Sequence, residues 1–173
     1  MSDAARRLFI ALWPDDPVRQ ALFHWQVHNL PADLRWQHRA DLHLTLHFLG
    51  QVEAARVEAL RRLVLETQWP AFALVLDRIG HWPRPQVLWA GAAEVPEALA
   101  ELHRTLGERL RGLGHSPEAR AFRPHVTLAR RARVMPAVGP LAPVAWSVAE
   151  LTLVESVPGA VPHYRPLCRQ ALA

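Results

Sequence analysis

Two short stretches of this chain carry side chains suited to acid–base chemistry. Asp41-Leu-His-Leu-Thr-Leu-His-Phe-Leu-Gly50 has a counterpart in Phe122-Arg-Pro-His-Val-Thr-Leu-Ala-Arg130, and the shared core His-x-Thr-Leu returns 82 positions after its first appearance. Imidazole titrates near neutral pH, so one histidine can accept a proton while the other donates one. A threonine hydroxyl donates a hydrogen bond without adding charge, which suits the non-bridging oxygens of a phosphoryl group. Two such pairs facing one another fit in-line displacement at phosphorus. One imidazole deprotonates the nucleophile, the other protonates the departing oxygen, and catalysis comes mainly from positioning and charge stabilisation.

This scheme requires no metal or other cofactor. His43 and His47 lie close in sequence, yet no carboxylate or third histidine converges on them there, so a zinc hydrolase would need ligands brought from a distance. His24 and His28 have helical i,i+4 spacing but no third ligand nearby, and they read as surface residues.

Period-two alternation predicts a strand for each stretch, over 41–49 and 120–130. In the first, His43, Thr45 and His47 share a face, with Leu42, Leu44, Leu46 and Phe48 opposite. In the second, His125 and Thr127 oppose Val126 and Leu128. Histidine and threonine then stand about 7 Å apart along one face. Strict alternation puts Arg130 on the wrong face; joining the histidines requires a bulge or the strand's end.

The elements around these strands repeat. Arg7-Leu-Phe-Ile-Ala-Leu-Trp13 predicts a strand closed by Pro14, and Asp15-Asp16-Pro17 begins a helix running to about Asn29 on a Val18, Leu22, Trp25 stripe. A short strand at 34–38 precedes the first motif strand, which Gly50 is expected to end. A helix over about 53–66 and a strand at 71–77 follow. The order then restarts: an apolar run at 86–91, a helix from about Pro96 with a leucine ladder to Leu113, the second motif strand, and strands at 144–154 and 161–171. Strand, helix, motif strand thus occurs twice at a shift of about 80 residues. This predicts a single α+β domain, residues 1–173, duplicated into two pseudo-symmetric lobes that each supply one motif strand to a central cleft. A Gly-rich phosphate loop is absent, which disfavours nucleotide-driven motors and dinucleotide enzymes.

Composition sets the outer bounds. The 173 residues are 50% hydrophobic and 21% charged, enough for one sizeable core. The apolar run after the N-terminal Met-Ser-Asp-Ala-Ala-Arg-Arg is too short for a leader, and no run reaches membrane-spanning length. The expectation is a soluble cytoplasmic monomer. A lone cysteine, Cys168, excludes an intrachain disulfide. The net charge is +4 and every cation is an arginine, whose fork suits phosphate oxygens. Arg120, Arg123, Arg131 and Arg133 cluster near the second motif, where they either guide a polynucleotide or form plain surface.

His43-Leu-Thr-Leu and His125-Val-Thr-Leu resemble the paired motifs of the two-histidine phosphoesterase superfamily. Around them, Arg7-Leu-Phe-Ile-Ala, Phe48-Leu-Gly50, Val87-Leu-Trp89, Arg123-Pro-His and Tyr164-Arg-Pro-Leu are similar to its bacterial branch, the RNA 2',3'-cyclic phosphodiesterases or 2'-5' RNA ligases. The resemblance implies a bilobal α+β fold with two antiparallel sheets and outer helices. It also implies hydrolysis of a ribose 2',3'-cyclic phosphate on an RNA end or cyclic nucleotide to a 2'-phosphate, with reversible 2'-5' ligation. By the same resemblance His43 is the proton donor, His125 the acceptor, and Thr45 and Thr127 hold phosphate oxygens. Arg130 also comes to the cleft. The residues alone do not distinguish donor from acceptor. Phe9 and His47 are further substrate-binding candidates, and Trp36, Trp89 and Tyr164 are possible stacking surfaces. Two alternatives stay open on sequence: a phosphodiesterase of a small cyclic phosphate, and a module that binds phosphorylated RNA ends without turnover.

Overall fold

The structure, a computed structural model, describes residues 4–173, so the first three residues of the segment considered for a leader lie outside the described residues. In chain order the elements are β1 (Arg6–Leu12), α1 (Asp16–Asn29), β2 (Arg35–Trp36), a 3-10 turn (Arg39–Asp41), β3 (Leu44–Val52) and α2 (Ala54–Leu65). There follow β4 (Phe72–Leu76), β5 (Arg78–Trp82), β6 (Val87–Gly91), α3 (Glu97–Gly112), β7 (His125–Arg130), β8 (Val144–Val148), β9 (Glu150–Ser156) and β10 (Tyr164–Ala171). The fold is α+β. Its strands form an eight-stranded antiparallel sheet, ordered β10-β9-β1-β3-β7-β6-β5 with β2 also on β7, and a separate β4–β8 pair.

Local sequence accounts for the helices. Asp15 caps α1, its carboxylate accepting the Val18 N–H at 3.1 Å, and Val18, Leu22 and Trp25 are buried as the stripe predicts. In α3 the leucines at 99, 102, 106 and 110 are buried. Helix α2 packs on β9 and β10. The order strand, helix, motif strand does recur as β1–α1–β3 and β6–α3–β7, and in each case the motif strand pairs with the first strand of its own run.

From Leu8 onward strand β1 is apolar because both of its faces are covered there. Leu8, Ile10 and Leu12 enter the main core, while Phe9, Ala11 and Trp13 form a small separate cluster with Val154 and Tyr164. On β5 and β6 a comparable slot exists for Trp89. A Cβ on Gly80 would stand 2.1 Å from its ring and one on Gly91 2.7 Å, so only glycine lets the indole lie there.

Several boundaries differ from expectation. Gly50 does not end β3; with φ +68 it sits inside the strand, directly after an extra residue, Leu49, that breaks the register with β1. The segment 120–124 is not strand, because Pro124 has no N–H to give a ladder and β7 begins at His125. The single strand expected over 144–154 is two, β8 and β9, which belong to different sheets. Strand β5 had no period-two signal to announce it.

Candidate active site

The two motif strands meet through one register pair, Leu44 opposite Val126, at the centre of the large sheet. In an antiparallel pair this register sets Thr45 across from His125 and His43 across from Thr127, all four on the face opposite Leu44 and Val126. Leu44 and Val126 are fully buried beneath. The four polar residues line one cleft of about 510 Å³, together with Arg130. Each histidine thus faces the other strand's threonine, and the four come together although the chain separates them by about half its length.

Both imidazoles are held by the same local bond. Nδ1–H of His43 donates to the Asp41 carbonyl at 2.6 Å, and Nδ1–H of His125 donates to the Arg123 carbonyl at 2.8 Å. A carbonyl can only accept, so each neutral ring carries its proton on Nδ1 and keeps a lone pair on Nε2. Nε2 of His43 is met by Thr45 Oγ1 at 2.9 Å, whose hydroxyl donates to it.

Aromatic rings enclose each imidazole. Trp13 stacks on His43 with ring centroids 5.3 Å apart, while Phe9 and Tyr164 each approach within 4.9 Å. Trp82 meets His125 edge-on at 4.6 Å and leans in turn on Trp89 at 5.1 Å. This burial pushes His43 down to about 4, against the raising effect of its bond to Asp41, and the charges of His125 and Arg130 add to the lowering. Burial also lowers His125, and the Arg130 charge reinforces it. Both rings are therefore neutral near pH 7.

A bulge resolves the position of Arg130. Leu88 pairs with Ala129 and Trp89 with Thr127, leaving Leu128 as an extra residue in β7. Leu128 and Ala129 are both buried, and the phase beyond them brings Arg130 round to the cleft with His125 and Thr127.

A bulge of the same kind changes the reading of His47. Ile10 pairs with His47 and Ala11 with Thr45, so Leu46 is the extra residue and His47 does not share the face of His43 and Thr45. It lines the α3 side of the cleft wall, is 5% exposed, stacks on His103 of α3 at 4.2 Å, and its Nε2 is engaged with the His103 carbonyl at 2.8 Å. Phe48, expected to be buried, takes the cleft side and is 52% exposed. Phe9 is 3% exposed, with its ring packed against His43, Phe48 and Tyr164; it walls the imidazole and offers no open face for a base. Trp89 fills its glycine slot, while Tyr164 does line the cleft. Arg120 and Arg123 line it as well, whereas Arg131 and Arg133 do not. His24 and His28 lie side by side on the exposed face of α1, and among the described residues no three His, Cys, Asp or Glu side chains are grouped to hold a metal ion.

Sequence reasoning missed the role of Asp41. Its buried carboxylate accepts the backbone N–H of His163 at 2.8 Å and of Tyr164 at 3.0 Å, tying the start of β10 to the first motif. One residue therefore orients His43 through its carbonyl and seats Tyr164 against it through its carboxylate. Trp13 was missed as well, although Phe9, Ala11 and Trp13 alternate along β1 and the residue after it. Trp82 and His103 gave no signal, because only tertiary packing brings them to the cleft.

A family model described as the 2'-5' RNA ligase superfamily matches residues 14–160, a span holding both motif strands and Arg130. A protein of Escherichia coli strain K12 named RNA 2',3'-cyclic phosphodiesterase is 36% identical over 171 residues, which is 96% of this chain and 97% of that one. The chain belongs to the 2'-5' RNA ligase superfamily. A Methanocaldococcus jannaschii member of the same name is 28% identical over 127 residues, 72% of this chain and 70% of its own. Among solved structures, E. coli LigT crystallised with 3'-AMP superposes with a TM-score of 0.90 at 34% identity, covering 98% of this chain and 99% of LigT. The Thermus thermophilus protein TT0787 gives 0.78 at 28% identity, covering 95% and 97%. For this superfamily member no described helix is long and apolar enough to cross a membrane.

Asp41→Ala leaves two backbone N–H groups without their buried acceptor and should cost about 1–3 kcal/mol in urea unfolding, with Asp41→Asn recovering part of it. An alanine variant as stable as the parent would remove this structural role. The buried, neutral His43 also links stability to pH. Its folded pKa of about 4 lies below the ordinary 6.5, so the unfolded chain binds the proton first. The contribution, about 3 kcal/mol, is fully present above pH 6.5 and lost as pH falls towards 4. Stability of the parent should therefore fall more steeply over that window than stability of His43→Gln; parallel curves would contradict it.

Proposed function

We propose that this chain is a metal-independent RNA 2',3'-cyclic phosphodiesterase, hydrolysing a terminal ribose 2',3'-cyclic phosphate to a 2'-phosphate. The observation that carries this reading is the crossed quartet of His43, Thr45, His125 and Thr127 set around the Leu44–Val126 pair. The names of its superfamily relatives supply the substrate class. We further read the chain as one domain of two pseudo-symmetric halves, each contributing one histidine and one threonine. We also read it as acting as a monomer in the cytoplasm.

In this mechanism the two hydroxyls and the Arg130 guanidinium hold the non-bridging oxygens. Nε2 of His125 takes a proton from water as its oxygen attacks phosphorus. The bond from phosphorus to O3' breaks, and Nε2–H of His43 gives its proton to that oxygen. The product carries a 2'-phosphate and a 3'-hydroxyl, with His43 neutral and His125 protonated. Donor and acceptor follow the family pattern, and the surroundings support the assignment: His125 is the more open ring and so the one water can reach, while His43 is shielded by three aromatic rings. Because burial favours neutral His43, the proton it donates is one that the bound phosphate's negative charge helps it hold. An RNA 5'-hydroxyl in place of water would be joined through a 2'-5' bond. Phe9 packs behind His43 in this scheme, and His47 forms part of the cleft wall on the α3 side.

Incubating RNA that ends in a 2',3'-cyclic phosphate with protein and chelator should yield the 2'-phosphate alone. His43→Ala and His125→Ala should each slow turnover by about 10²–10⁴-fold while leaving the fold intact. A 3'-phosphate product, loss of activity to chelator, or full activity in either variant would reject the mechanism.

A further inference from the structure

Beside the catalytic cleft lies a second, larger groove of about 960 Å³, which shares Phe48, Arg130 and Tyr164 with it. Its walls carry Arg7 of β1, Arg35 of β2 and Arg39 of the 3-10 turn, with Phe23 and Trp36 between them. We propose that this groove is the track for the RNA strand that runs upstream of the cyclic phosphate, so that the preferred substrate is a single-stranded oligonucleotide end and not a mononucleotide. The proposal rests on the hydrolytic reading above and adds to it where the body of the substrate lies.

Charge, rings and position each support the assignment. Arg7, Arg35 and Arg39 are exposed, and among the described residues no carboxylate pairs with any of them or with Arg130. The groove's own carboxylate, Asp41, is already engaged by two backbone N–H groups. Unpaired guanidinium groups lining one groove suit the phosphates of a nucleic-acid strand. Arg39 lies over the Phe23 ring at 5.7 Å, and Phe48 is an open aromatic face where groove and cleft meet. Cationic walls with interleaved rings are how single strands are held without base readout. A volume near the top of the range filled by whole small ligands leaves room for more than one nucleotide.

Polarity follows from the mechanism. The ribose that keeps the 2'-phosphate is released at O3', the oxygen His43 protonates, so it sits on the His43 side. Phe9, Asp41 and Tyr164, which surround or hold His43, also wall the groove. The rest of the strand leaves that ribose through its 5' side and enters the groove. Arg120 and Arg123 lie on the His125 side and take the other arm of the cleft.

The test uses two substrates with the same terminal nucleotide: a nucleoside 2',3'-cyclic phosphate and an oligoribonucleotide of about six residues. Affinity for the labelled 2'-phosphate form of the oligonucleotide is measured separately by fluorescence anisotropy. The exposed triple variant Arg7→Ala/Arg35→Ala/Arg39→Ala should bind that oligonucleotide at least about tenfold more weakly at low salt, with the log–log salt dependence shallower by about 2. Each single variant should show part of the loss. Turnover of the mononucleotide should stay within about twofold of the parent. Parental affinity in the triple variant would overturn the proposal. So would a loss confined to Arg120→Ala/Arg123→Ala, or an equal loss on both substrates. Failure of the hydrolytic reading is a separate result: no turnover of either cyclic substrate by the parent, with the binding comparison still decisive for the groove.

Discussion

The site depends on one antiparallel register, Leu44 against Val126. Because side chains alternate along a strand, burying that pair forces the residues on either side of it to the opposite face. The two-residue spacing within each motif does the rest, crossing each histidine with the other strand's threonine. A slip of one residue would send one pair into the core and leave the other alone. The apolar residues between histidine and threonine are therefore as necessary to the chemistry as the polar ones, since their burial fixes the register.

A second layer of order sits behind the imidazoles. In both motifs the ring nitrogen away from the cleft donates to a carbonyl two residues earlier, and in both an aromatic cluster backs the ring. The bond fixes the tautomer, and the rings lower the polarity around it, so the imidazoles stay neutral and turn an unprotonated Nε2 to the cleft, that of His43 accepting from Thr45. Asp41 couples this arrangement to the distant C-terminal hairpin, whose Tyr164 closes the wall around His43. Strands β9 and β10, last in sequence, extend the sheet beyond β1, with β9 beside it and β10 outermost, and complete the environment of a histidine near residue 40.

Much of this was legible from the chain. The two His-x-Thr strands, the helix stripes of α1 and α3 and the recurrence of strand, helix and motif strand all follow from periodicity and capping. What periodicity could not supply was phase beyond a bulge. Leu46, Leu49 and Leu128 are ordinary strand residues in sequence, and only pairing with β1 and β6 shows that each is the extra one. For that reason alternation placed His47 on the face of His43 and Thr45 with Phe48 opposite, whereas the bulge turns His47 towards α3 at the cleft wall and opens Phe48 to the cleft. The need for a bulge before Arg130 was visible, but its location was not. Long-range partners such as Trp82 and His103 depend on which elements pack together, which spacing along the chain does not encode.

The central claim is that both imidazoles meet the cleft neutral, protonated on Nδ1 and unprotonated on Nε2. Long-range proton–nitrogen NMR correlation of the histidine rings at pH 7 reads this directly. His43 and His125 should both show the neutral Nδ1–H tautomer, and both Nε2 signals should shift when inorganic phosphate is added. A cationic ring, a proton on Nε2 of either residue, or a phosphate response confined to one of them would contradict it.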